Sequence, residues 1–259
     1  MIRRMSATRA GALHPILKLL VTAALLAGGV GRASDAEKKA PPEPTCPEGM
    51  VLIPGGSFPL GGKKMVKVKA FCLDETEVTA RAYEVCVDEE ECHAVPNDIA
   101  LKEASTYQMY PKSPINDVTW KDAREYCAFE MKRLPTEAEW EWAARGGPAG
   151  NAYPWGNDPP SSQPCWSGSG SDAGAATRKR PCPATDHQGD VTPQGIRGLA
   201  GNVAEWTATR GDEKGEYVAK GAWYRSTEKD LLAAIYREAS KATERSPYIG
   251  FRCAQDPDH

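Results

Sequence analysis

Lys132-Arg133-Leu134-Pro135-Thr136-Glu137-Ala138-Glu139-Trp140-Glu141-Trp142-Ala143-Ala144-Arg145-Gly146-Gly147 reads locally as a short helix with both ends specified. Thr136 is placed to cap the first turn, and Glu139, three residues on, completes a capping box. Pro135 stands just ahead of the cap, and Gly146 supplies a left-handed stop. Trp140, Ala143 and Ala144 recur at the i, i+3, i+4 spacing of a buried stripe, so an amphipathic helix is expected.

Upstream, Thr119 is the cap of another helix, with Asp122 at its third position and Ala123, Cys127 and Met131 on one face. Before that, Thr79 caps a helix from Ala80 to about Asp88, and Cys86 and Cys92 are close enough to staple its end to the following loop. The run 66–73 (VKVKAFCL) alternates with period two, as a half-buried strand does. Met50–Ile53 reads as a first strand and Gly55-Gly56 as a turn, whereas 97–114 carries few signals. Downstream, 152–192 is long, rich in Pro, Gly and Ser, and poor in periodicity. Leu231, Leu232, Ile235 and Ala239 are spaced as on a helix.

Several segments, in order, resemble the formylglycine-generating enzyme (sulfatase-modifying factor) family. The opening stretch resembles that family's RLPTEAEWEWAARGG signature. Gly49-Met-Val-Leu-Ile-Pro-Gly-Gly-Ser-Phe58, Asp74-Glu-Thr-Glu-Val-Thr79 and Tyr153-Pro-Trp-Gly156 match further family segments. So do Thr192–Trp206 (TPQGIRGLAGNVAEW), Ala219–Tyr224 and the closing Ile249-Gly-Phe-Arg-Cys253. The resemblance implies an α+β domain over 46–259 with a modified C-type-lectin-like fold of low regular secondary-structure content. It also implies an extended segment bearing Arg237 where local spacing suggests a helix, and a Cys127–Cys253 disulfide. Cys86–Cys92 is the local clip, and Cys165–Cys182 with Cys46–Cys72 is taken for the remaining four cysteines.

Composition agrees with a loop-rich globular domain, with 41% hydrophobic residues, 24 Gly, 21 Pro and seven Trp. Arg3, Arg4 and Arg9 precede an apolar run over 16–30, and Gly31-Arg32-Ala33 is a small-residue exit. Residues 1–33 therefore read as a signal peptide and 34–45 as a polar tether, with an uncleaved anchor as the alternative. Removing 1–33 takes away five basic residues and no acids, moving the formal charge from −3 to about −8. Such an acidic domain without a basic run is a poor partner for nucleic acid or an anionic membrane. All eight cysteines follow the leader, so a disulfide framework in a periplasmic or secreted protein is expected. No Cys-x-x-Cys is present, and His93, His187 and His259 are read as scattered surface residues, so a zinc site is not indicated.

The family's enzymes oxidise a substrate cysteine, in Cys-x-Pro-x-Arg peptides, to formylglycine with copper held by two cysteine thiolates. Counted onto this chain, those two positions are Ser226 and Leu231. Neither is a soft ligand for Cu(I), so copper is not expected. A family calcium site maps onto Gly201, Val203 and Glu205, weakened because its leading Asp or Asn is Gly198. The alternative is a structural role for Asn202 and Glu205. Trp166, Trp223, Tyr224 and Arg225 are the expected contact residues of a binding groove. The leading expectation is an exported, non-catalytic module that binds a protein or peptide in the envelope or extracellular space. The alternatives are a divergent enzyme acting in the same groove and a structural accessory of an envelope complex.

Overall fold

The computed structural model describes residues 44–100, 102–173, 177–186 and 189–258. The expected leader, nearly all of the tether, His187 and His259 lie outside them. In chain order the elements are β1 (Met50–Ile53), β2 (Gly56–Leu60), β3 (Lys64–Val68), β4 (Phe71–Asp74), α1 (Ala80–Asp88), α2 (Asn97–Ala100), α3 (Trp120–Phe129) and α4 (Glu137–Ala144). They are followed by β5 (Ala204–Arg210), β6 (Glu216–Lys220), β7 (Arg237–Lys241), β8 (Ile249–Gly250) and β9 (Ala254–Gln255). The strands form a β1-β4-β9 sheet, a β2-β3 hairpin and a β7-β6-β5-β8 sheet.

The three longer helices begin where their caps place them. Thr79, Thr119 and Thr136 are all N-caps, and both Thr119–Asp122 and Thr136–Glu139 close full capping boxes. Gly146 adopts φ 67° just beyond α4 and ends it. Met131 departs from its expected place on the α3 face. It lies past the helix end at φ 56° and is 87% exposed.

The run 66–73 is not one strand. β3 pairs with β2 as far as Val68, and β4 pairs with β1 from Phe71. The chain changes sheets at Lys69-Ala70, where Gly55 crosses it so closely that a Cβ there would lie 2.8 Å from the Val68 carbonyl oxygen. The Gly55-Gly56 pair is accordingly a crossing rather than a tight turn. Gly56 opens β2, and its missing side chain makes room for the Trp142 ring. Residues 229–232 form a single 3-10 turn and 237–241 is strand β7, so the extended segment prevails over the helical spacing. Among the described residues no helix or strand lies between Ala149 and Ala204. Cys165–Cys182 and the buried Trp166 hold that stretch to the body.

All four expected disulfides are present: Cys46–Cys72, Cys86–Cys92, Cys127–Cys253 and Cys165–Cys182. Cys127–Cys253 joins α3 to the residue just before β9 across 126 residues. In the chain-entropy view a loop of that length contributes about 5 kcal/mol.

α4 is buried on more than its apolar stripe. It packs against β2, β3, β5 and β6. Glu141 and Lys220 are both fully buried and meet at 2.9 Å. Glu141 also accepts from the Gly61 amide and from Arg145. Burial pulls the Lys220 ammonium below its ordinary value, and the Glu141 charge opposes that. Removing Lys220 leaves the buried Glu141 carboxylate with only the longer Arg145 contact at 3.4 Å to balance its charge. Lys220→Met is therefore expected to lower stability by about 3–5 kcal/mol in urea unfolding, and Glu141→Leu combined with Lys220→Met to recover part of the loss. A single variant as stable as the parent would contradict this assignment.

Candidate functional site

Beyond β6 the chain turns sharply over Trp223–Ser226. The Ser226 amide donates to the Trp223 carbonyl at 2.8 Å, and the Trp223 amide donates to Ser226 Oγ at 3.1 Å. Ser167 pins the turn from outside, its amide donating to the Ser226 carbonyl and its hydroxyl to that of Tyr224. Ser226 is buried, and its hydroxyl caps this turn. Leu231 packs with Leu232 into a small apolar cluster around Trp166, Ala200 and Ala222. The two positions that would carry copper thus hold a turn-capping hydroxyl and an apolar anchor. All eight cysteines are in disulfides, so none offers a thiolate.

The expected contact set is corrected in part. Trp166 and Tyr224 are fully buried, the first donating its indole N–H to the Ser161 carbonyl. Only the half-buried Trp223 and the exposed Arg225 reach the surface. Arg225 donates to the Arg178 carbonyl at 3.1 Å, and Trp223 lies 5.8 Å from the Tyr248 ring. Both belong to the turn over Trp223–Ser226.

The expected calcium loop encloses a buried ionic centre. Both oxygens of Glu205 accept from the Arg252 guanidinium at 2.8 Å, and Oε2 also accepts from the Trp140 indole at 2.7 Å. Arg252 further donates to the carbonyls of Asp74, Glu75, Arg197 and Gly198. Asn202, at φ 62°, bonds the Cys182 amide and Glu77 through its side chain. Gly198 brings no ligand, and a Cβ there would lie 2.8 Å from the Glu77 carboxylate oxygens. Gly201 and Val203 are buried beside a Glu205 whose charge Arg252 already balances. The residues present therefore do not fit calcium. Glu205 and Asn202 are structural, with an arginine, an indole and a glutamate among their partners.

Two further carboxyls border this centre. Burial pushes Glu77 up to about 8 and Asp190 up to about 7, against the Arg252 charge that lowers both. Among the described residues Glu77 Oε2 and Asp190 Oδ1 are buried without hydrogen-bond partners, and Arg252 lies 4.0 Å from Glu77 Oε2.

Sequence reasoning missed the groove of about 990 Å³ between α3, α4 and the β3–β4 crossing. Val68, Leu134 and Ala138 line it, and Trp120 stands at its wall, stacked on Tyr217 at 3.7 Å with its indole donating to the Thr207 carbonyl. Arg133 is paired with Glu139 and Asp256. Lys67, Lys69 and Arg124 are exposed around the groove and form no ion pair among the described residues, Arg124 lying 5.2 Å over the Trp120 ring. The period-two alternation that sends Lys67 and Lys69 to one face was the available signal. His93, expected as one of three scattered surface residues, is 66% exposed at its side chain and lies beside Asp122 and Glu125.

The raised Glu77 and Asp190 values set a pH dependence. The unfolded chain releases these protons near the ordinary carboxylate values, whereas the native state holds them to about 7 and 8. Their contribution is full below about 4 and is lost as pH rises through about 8. Stability should therefore fall between pH 5 and pH 8, and Glu77→Gln, which mimics the protonated carboxyl, should flatten that slope. Thermal unfolding across the range reads both, and an unchanged slope in the variant would refute the assignment.

Known proteins share this architecture. The solved structure of PvdO from Pseudomonas aeruginosa superposes with a TM-score of 0.63 at 21% identity, covering 80% of this chain and 94% of that one. A formylglycine-generating enzyme of Thermomonospora curvata is 29% identical over 304 residues, covering 86% of this chain and 98% of its own. An inactive C-alpha-formylglycine-generating enzyme 2 of Bos taurus is 36% identical over 152 residues, which span 54% of this chain and only 50% of that relative. The sulfatase-modifying factor enzyme 1-like domain matches residues 36–257, and with the fold and the signature segments in place the chain belongs to that family.

Proposed function

We propose that this protein is a non-catalytic binding module of its family, exported to the periplasm or beyond the cell, that holds an acidic peptide segment in the groove beside Trp120. The observation that carries the reading is the replacement of both copper-binding positions by Ser226 and Leu231 in a chain whose cysteines are all in disulfides. Four disulfides and the basic-apolar leader support export. The groove supports the ligand class. Lys67, Lys69 and Arg124, in no ion pair among the described residues, favour carboxylates, and Trp120 with the apolar lining favours the flanking side chains. A rigid scaffold carrying long ordered loops suits recognition.

Two measurements test this. Purified protein should carry no stoichiometric copper and should leave a Cys-x-Pro-x-Arg peptide unchanged under oxygen and reductant; conversion with bound copper would sink the non-catalytic reading. Fluorescence anisotropy with a labelled Asp/Glu-rich peptide containing Leu and Phe should show saturable binding that weakens with added salt. Lys67→Glu with Arg124→Glu should weaken it by about tenfold or more, since like charges then face the peptide. Equal binding of a Lys-rich peptide, or no effect of the double change, would remove the groove from the proposal.

A further inference from the structure

His93 is one residue beyond Cys92, so the Cys86–Cys92 disulfide fixes the backbone that carries it to the end of α1. The Tyr83 hydroxyl donates to the His93 carbonyl at 2.8 Å and pins it again. Across from it, Asp122 and Glu125 sit three residues apart on α3 and share one face. His93 Nδ1 lies 3.4 Å from Glu125 Oε2 and 3.9 Å from Asp122 Oδ1, and the three atoms fall within 4.8 Å of one another.

The other oxygen of each carboxylate is already engaged. Asp122 Oδ2 accepts from the Thr119 amide and hydroxyl and from Arg245 at 2.9 Å. Glu125 Oε1 pairs with Lys121 at 2.9 Å. These contacts orient the two carboxylates and leave Oδ1 and Oε2 facing the imidazole. Among the described residues Glu125 Oε2 is a buried atom with no hydrogen-bond partner, so its approach to Nδ1 is not joined by a proton in bonding geometry. Two ligands of one cation would approach each other to about this distance. Two ligands about 2.0–2.1 Å from a tetrahedral Zn²⁺ stand about 3.3–3.4 Å apart, close to the Nδ1 to Oε2 separation.

We infer that His93, Asp122 and Glu125 form a divalent transition-metal site, filled by Zn²⁺, that clips the loop after α1 to α3. One imidazole nitrogen with two carboxylate oxygens suits a borderline ion such as Zn²⁺; it suits neither Cu(I), which takes thiolates, nor a hard cation caged by oxygens. His93 is 66% exposed at its side chain, which leaves the fourth position to water. Lys121 and Arg245 offset the two carboxylate charges and hold the affinity to a moderate range. The site is independent of the Trp120 groove and of the copper positions.

Isothermal titration of the whole protein with zinc chloride, after treatment with a chelator, should show one saturable equivalent. His93→Ala should weaken it by at least about tenfold, and Glu125→Gln should weaken it as well. Cobalt should bind the same site and give visible absorption bands of a low-symmetry N/O site, absent in His93→Ala. His93 is exposed, so its replacement keeps the fold, and circular dichroism with an intact-disulfide mass checks this. Absence of a saturable equivalent, or zinc binding left unchanged by His93→Ala, would overturn the site. The second outcome would move the binding to other histidines of the chain.

Discussion

Arg252 is fully buried and donates to six groups: the two Glu205 oxygens and the carbonyls of Asp74, Glu75, Arg197 and Gly198. One side chain thereby ties the end of β4, the loop before β5, β5 itself and the last segment of the chain. A planar guanidinium with five donors can do this, and an ammonium cannot. The arrangement is stable only because Glu205 returns a full charge in a dry environment, with the Trp140 indole as an additional donor. Trp140 belongs to α4, so the signature helix is bound to the same centre.

Around this centre much of the chain runs as ordered loop. Backbone groups outside helices and strands still need partners, and side chains supply many of them. Asn202 bonds the Cys182 amide and Glu77 at once, Asp190 accepts from the Ala200 amide, and Asn116 donates to the Ala104 and Pro247 carbonyls. Four disulfides fasten what hydrogen bonds alone would leave loosely held. Ser226 and Leu231 take up structural tasks, a turn cap and an apolar anchor, without disturbing the ionic centre.

Where sequence reading was right, the signal was local. The Thr caps with Asp122 and Glu139 marked the α3 and α4 starts, because capping is a contact between residues three apart. Resemblance carried what locality could not, including Cys127–Cys253 and the extended run at Arg237. The misreadings have a common cause. The run 66–73 alternates without interruption, yet Gly55 crosses it and splits it between two sheets. Trp166 and Tyr224 look like contact residues until the loops that cover them are in place.

By itself the sequence determined the capped starts of α1, α3 and α4 and the absence of soft ligands at positions 226 and 231, through short-range stereochemistry and residue identity that folding does not alter; the cysteine pairing and the family came from resemblance along the chain. The tertiary structure alone decided which charges meet. Glu205 lies 47 residues from Arg252, Glu141 lies 79 from Lys220, and His93 is brought to Asp122 and Glu125 by the disulfide beside it and the pinned end of α1. Whether a carboxylate binds a cation, pairs with an arginine or keeps its proton depends on its desolvation and on its neighbours in space. Neither can be read from order along the chain, because both are set by contacts that exist only after the core has closed.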